Sequence, residues 1–146
     1  MTRTPIAAGF AALFIAGCGG DGKITTHKIE GAGVSIEAPE SWKVESRMEG
    51  FYSLKGDGGF VQIMTSEMSP PKSLEDAAKS CKKVADKATL PSGAFYVLCD
   101  DEVMEGVKTQ TVQVTLVVGG ASVECAISTD KKVEKYKKIC QSMKPL

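Results

Sequence analysis

Five cysteines in a chain of 146 residues set the tightest limit on how this sequence can fold. Five is odd, so disulfides within the chain leave at least one thiol over. Cys18 stands far from the rest. The other four, Cys81, Cys99, Cys125 and Cys140, follow one another at intervals of 18, 26 and 15 residues. Zinc sites use closely spaced pairs such as C-x₂-C, and this chain has a single histidine, so the spacing argues against a metal centre. With no C-x-x-C, a thioredoxin-like redox role has no support either. In a protein that works outside the cytoplasm, four such cysteines are expected to form two disulfides.

The N-terminus points to that compartment. Arg3 gives a short positive start, and residues 5–17 (PIAAGFAALFIAG) carry no charge. The run is shorter than the roughly 20 apolar residues that span a bilayer, and it fits the apolar region of a removable export signal. It ends in Ile15-Ala16-Gly17-Cys18, which resembles the lipobox of bacterial lipoproteins: a branched apolar residue, two small residues, then cysteine. The resemblance implies cleavage before Cys18 and a diacylglyceryl group, with further acyl chains of the palmitate type, on its sulfur. Acyl chains contribute about 0.8 kcal/mol per buried CH₂, and two or three together hold a protein stably on a membrane. It also implies a destination. Asp after the lipidated cysteine marks inner-membrane retention in enterobacteria-like envelopes. Gly19 stands there instead, so the outer membrane is expected in a host that has one. The expected boundaries are a signal peptide at 1–17, a lipidated N-terminus and flexible spacer at 18–28, and one domain at 29–146.

Periodicity suggests how the four remaining cysteines pair. Residues 73–88 place Leu74, Ala77, Ala78, Cys81, Val84, Ala85 and Ala88 at helical spacing, with Ser73 as N-cap and Glu75 and Asp76 in the first turn. A second helix is expected over 130–143, with Val133, Tyr136, Cys140 and Met143 on one side. Cys81 and Cys140 thus fall on buried helical faces. Val112, Val114, Leu116 and Val118 alternate with other residues up to Gly119-Gly120, a two-residue hairpin turn, and Ala121, Val123, Cys125 and Ile127 alternate after it. Phe95, Val97 and Cys99 belong to a third strand beside the first of these. Cys99 and Cys125 would then lie two strands apart, roughly 9–10 Å, beyond the approximately 7 Å a disulfide tolerates. Helix must therefore bond to sheet. The sequence-local solution is Cys81–Cys99 with Cys125–Cys140, and the crossed pairing, Cys81–Cys125 with Cys99–Cys140, stays open.

Ahead of the first helix, segments 24–30, 34–38, 42–46, 51–55 and 60–67 read as short strands separated by Gly, Pro and Asp. The order strands, helix, three strands, helix indicates an α+β domain with two helices packed on antiparallel sheet. The stretch VSIEAPESWKV, residues 34–44, resembles the opening of PsbP/DcrB-like domains, where a strand runs into P-x-x-W and a second strand. YKKICQSM, residues 136–143, resembles that family's closing helix. The resemblance implies a non-catalytic accessory, binding or assembly protein and transfers no site residue; the four cysteines depart from the family's pattern.

Charge is balanced, at 18 Lys+Arg against 18 Asp+Glu; removing Arg3 with the signal leaves 17 against 18. Nucleic-acid binding needs a cationic surplus, so neither DNA nor RNA is an expected partner. His27, the one histidine, reads as a solvated residue of the spacer rather than a base, with no G-x-S-x-G motif to serve. Trp42 reads as a core or rim aromatic before it reads as a stacking platform. Gly56-Asp57-Gly58-Gly59 lacks the G-x-x-x-x-G-K-[ST] spacing of a phosphate loop and reads as a hairpin turn. Asp100, Asp101, Glu102 and Glu105 lack the calcium-loop pattern and read as a solvated acidic turn. Lys131, Lys132, Lys135, Lys137, Lys138 and Lys144 give the last helix a basic outer face. Of these, Lys131, Lys135 and Lys138 are the candidates for contact with lipid headgroups or an acidic partner.

Three functional expectations follow. The first is a lipid-anchored, non-catalytic binding or accessory protein of the cell envelope, whose partners are the membrane and an envelope protein and whose only prosthetic group is the lipid on Cys18. The second is an envelope hydrolase using dispersed carboxylates such as Glu37, Glu40 or Asp100. The third is a tethered structural or surface-exposed domain.

Overall fold

Strict alternation of apolar residues and a two-glycine turn build the centre of the molecule. Strand β8 (Val107–Val118) and strand β9 (Ala121–Thr129) pair antiparallel, with Val118 opposite Ala121. Gly119 and Gly120 both adopt positive φ, at 58° and 84°, as a two-residue turn between twisted strands requires. The computed structural model describes residues 22–146. The segment expected to be a signal peptide, Cys18 and the first residues of the expected spacer lie outside them.

Ahead of this hairpin come β1 (Ile24–Ile29), a 3₁₀ turn (Glu30–Ala32), β2 (Val34–Pro39), β3 (Lys43–Met48), β4 (Phe51–Gly56), β5 (Gly59–Ser66), helix α1 (Leu74–Ala78), β6 (Val84–Thr89) and β7 (Phe95–Met104). Helix α2 (Val133–Gln141) and the two-residue β10 (Lys144–Pro145) follow the hairpin. The strands form two antiparallel sheets, one ordered β1-β2-β10 and the other β3-β4-β5-β9-β8-β7-β6. The larger sheet joins two meanders, β3–β5 and β6–β9, through the β5–β9 pair. The fold is α+β, with helices on antiparallel sheet.

Each face of the larger sheet has its own apolar cluster. Val112, Val114, Leu116, Val123, Cys125, Leu54, Val61 and Ile63 meet α2 (Tyr136, Ile139, Cys140) and the smaller sheet (Ile29, Val34, Ile36, Ala38). On the opposite face Val97 and Cys99 meet Leu74, Ala77, Ala78 and Cys81. The helices therefore lie on opposite faces. Disulfides join Cys81 to Cys99 and Cys125 to Cys140, each with 5.4 Å between Cα atoms. Cys99 stands opposite Thr111 and Cys125 opposite Val114, so the two strand cysteines point to opposite faces as well as sitting two strands apart.

The structure corrects four expectations. The first helix stops at Ala78, and Val84–Thr89 is an edge strand, so four strands rather than three separate the helices. Residues 79–88 keep the helical spacing of apolar residues, but β7 offers a free edge of N–H and C=O groups that β6 satisfies; tertiary context overrides a weak local preference. Cys81 accordingly sits half-buried in the link after α1 rather than on a helical face. Residues 24–28, claimed both by the expected spacer and by the expected strand over 24–30, form strand β1 in register with β2, so it is the spacer boundary that yields. Asp100, Asp101 and Glu102 lie within β7 rather than in a turn.

Candidate functional site

Two concave regions stand out among the described residues. The larger, about 730 Å³, runs between the link after α1, the far ends of β7 and β8, and the start of α2; Lys83, Asp100, Asp101, Lys108, Gln110 and Asp130 line it. Two of its three acids, Asp100 and Asp101, are already engaged. Gln110 Nε2 donates to Asp100 Oδ1 at 2.8 Å, Lys83 Nζ approaches Asp100 at 3.4 Å, and Thr111 Oγ1 donates to Asp101 at 2.6 Å. The Gln110 bond, with Lys83 beside it, lowers the Asp100 carboxyl below its ordinary range. A general acid needs the opposite shift.

The smaller hollow, about 430 Å³, is built where the two ends of the described chain meet. Ile24 and Pro39 are directly opposed at the first step of the β1–β2 ladder, and Glu40 N–H donates to the Lys23 carbonyl at 2.7 Å. His27 Nε2 lies 3.0 Å from the Pro39 carbonyl, a bond that needs the proton on that nitrogen. His27 thus secures the β1–β2 pair, in place of the solvated spacer role expected of it. From the other side, Glu37 N–H donates to Ser142 Oγ at 2.8 Å and fixes the end of α2 against β2. Pro39 and Ile139 are buried at the base, while Ile24, Glu37, Glu134 and Lys138 are exposed around it and the half-buried Lys135 completes the lining.

The lysines expected to form one basic face divide in use. Lys135 Nζ sits 5.2 Å over the Trp42 ring and Lys137 Nζ sits 5.3 Å over Tyr96, contacts of cation–π type. Lys137 also approaches Asp86 at 3.5 Å. Lys131 and Lys138 are exposed, and Lys135 and Lys138 share the hollow. Trp42 is 1% exposed, a core residue. Gly56 pairs with Gly59 across the Asp57-Gly58 turn, which makes that glycine-rich stretch a hairpin.

Sequence reading passed over one carboxylate. Glu124 on β9 lies between Met64 and Thr115 on the face opposite α2, and desolvation raises its pKa against a hydrogen bond from Gln113. The alternation of β9 places it on the non-core face, which suggests solvent; only the assembled sheet shows its half-burial. Among the described residues no group of three or more His, Cys, Asp or Glu is arranged to hold a metal ion, and no helix is long and apolar enough to cross a membrane.

No protein-family model and no curated protein matches the chain. Among solved structures, a protein of Bacteroides thetaiotaomicron determined at 1.50 Å resolution is similar, with a TM-score of 0.58 at 12% identity. The match covers 86% of this chain and 49% of that one, so the chain spans about half the length of the structure it resembles. At that identity the likeness is one of fold alone.

Proposed function

We propose that the chain is a lipid-anchored, non-catalytic binding or accessory protein of the bacterial cell envelope, tethered through Cys18 and, in a host with two membranes, carried to the outer one. The observation that carries this reading is how near the first described strand lies to Cys18 in the sequence. Strand β1 starts at Ile24, six residues after Cys18, and Ile24 shares a hollow with Lys135 and Lys138 of α2. Six extended residues reach about 20 Å at most. A lipid on Cys18 would therefore hold this end of the domain close to the bilayer surface, with Lys131 and Lys138 exposed to headgroup phosphates.

The finer assignment, a PsbP/DcrB-like domain, belongs to the same proposal. It is supported by the passage of β2 through Pro39 and Trp42 into β3 and by the closing helix α2. It favours an accessory role with an envelope protein as partner over the hydrolase reading, which the lowered pKa of Asp100 also disfavours.

Fatty-acid labelling in a bacterial host tests the tether. The wild-type chain should incorporate label and fractionate with membranes. Cys18→Ala should lose the label and be released or misprocessed, with both disulfides intact by non-reducing peptide mapping. Labelling that survives Cys18→Ala would sink the proposal.

A further inference from the structure

We infer that the hollow between β1, β2 and α2 takes up one acyl chain and the zwitterionic headgroup of a phospholipid from the bilayer that holds the anchor; this rests on the tether proposed above. Three observations meet there. The base is apolar, formed by the buried Pro39 and Ile139, with Ile24, 52% exposed, standing at the rim. That composition suits an aliphatic chain, which gains by leaving water wherever apolar surface is offered. The rim carries both signs of charge: Lys138 one helical turn from Glu134, and Glu37 across the gap on β2. A phosphate can meet Lys138 while an ammonium meets Glu37 and Glu134, whereas a purely anionic headgroup would face two carboxylates. Finally, the chain leaves the hollow at Ile24 toward Cys18, within about 20 Å of tether. An anchored protein would hold the hollow within reach of lipid at a high effective concentration, so a shallow site suffices.

The other concavity offers less. Asp100 and Asp101 are spent on Gln110, Lys83 and Thr111, and Val133 is the one apolar side chain in its lining.

The full chain, purified from membranes, is incubated with vesicles containing phosphatidylethanolamine that bears a photoreactive diazirine on one acyl chain, and the crosslinks are mapped by peptide mass spectrometry. Crosslinks should concentrate on peptides containing Ile24, Pro39 and Ile139. Ile24→Glu and Lys138→Glu change exposed side chains and should leave the circular dichroism spectrum unchanged; each should lower the crosslink yield roughly fivefold or more. Val117→Glu, on the far face of the larger sheet, should not lower it. Vesicles with the same label on phosphatidylglycerol should crosslink more weakly. Crosslinks spread over other surfaces, yields indifferent to Ile24→Glu and Lys138→Glu, or equal labelling by the anionic lipid would each overturn the inference. Fatty-acid analysis of the same wild-type preparation separates the two readings. Hollow crosslinks in a wild-type chain that carries no fatty acid would refute the tether alone, and an acylated Cys18 with a silent hollow would refute the site alone.

Discussion

Glu124 shows how much of a residue's behaviour is set by neighbours rather than by its type. In the sequence it is one polar position in an alternating strand; in the sheet it is half-buried, flanked by Met64 and Thr115, and desolvation raises its pKa. The sign of its effect on stability follows by linkage. Between the unfolded-state pKa and the higher folded-state pKa, the folded protein binds more protons than the unfolded one, so stability falls as pH rises through that interval. Above the folded-state pKa the full cost of a desolvated carboxylate is present. Glu124→Gln removes the charge and keeps an oxygen that can accept from Gln113. Its unfolding midpoint should exceed that of the wild type at pH 7, and the gap should close as pH falls to the ordinary carboxylate range near 4.5. Thermal melts of both proteins across that range decide it; a gap independent of pH, or a less stable variant at pH 7, would show that Glu124 is well paired as an anion.

Among the elements, α2 holds the design together, and its seat depends on a glycine turn. Tyr136 packs in the main cluster and its hydroxyl donates to the Gly58 carbonyl at 3.4 Å. Gly59 has φ of 153°, and a Cβ there would collide with the Tyr136 hydroxyl. Gly59→Ala should therefore lift Tyr136 and cost more than about 1 kcal/mol, while Tyr136→Phe gives up only one long hydrogen bond and should cost about 1 kcal/mol or less. Urea denaturation that found the two equal would remove the steric explanation. The turn and the helix were both legible in the sequence, through the glycine cluster and the spacing of Val133, Tyr136, Cys140 and Met143; so was the β8–β9 hairpin, where alternation and turn chemistry agree. The link from α1 to β6 was not. There the local pattern says helix, and the strand exists because β7 has an unpaired edge, a fact about the assembled sheet. The hollow was legible only in part. Lys135 and Lys138 stand out as helix lysines, but Ile24 and Pro39 reach them through the β1–β2 ladder and the Glu37–Ser142 bond, which join opposite ends of the chain.

At the scale of the whole molecule, the two disulfides staple two different layers. Chain entropy alone would make them nearly equivalent: they span separations of 18 and 15 residues, a difference of about 0.2 kcal/mol in loop-closure cost. Their surroundings differ far more. Cys125 and Cys140 are both wholly buried in the cluster that unites α2, both sheets and the β8–β9 hairpin. Cys81 is half-buried and joins Cys99 in a small cluster that holds only α1 and its flanking link to the opposite face. Location should therefore decide the outcome. The double variant Cys125→Ala/Cys140→Ala should lose about 2–5 kcal/mol of global stability, since it removes the staple and leaves two small voids in the main core. The double variant Cys81→Ala/Cys99→Ala should keep the larger sheet largely intact and lose hydrogen-exchange protection chiefly over residues 74–89, a local opening rather than a global one. The same asymmetry predicts that low concentrations of a soluble thiol reduce Cys81–Cys99 first, with alkylation appearing at those two cysteines before Cys125 or Cys140. If both pairs of substitutions cost the same, and both bonds reduce together, the two faces of the sheet unfold as one unit and loop entropy outweighs burial in this fold.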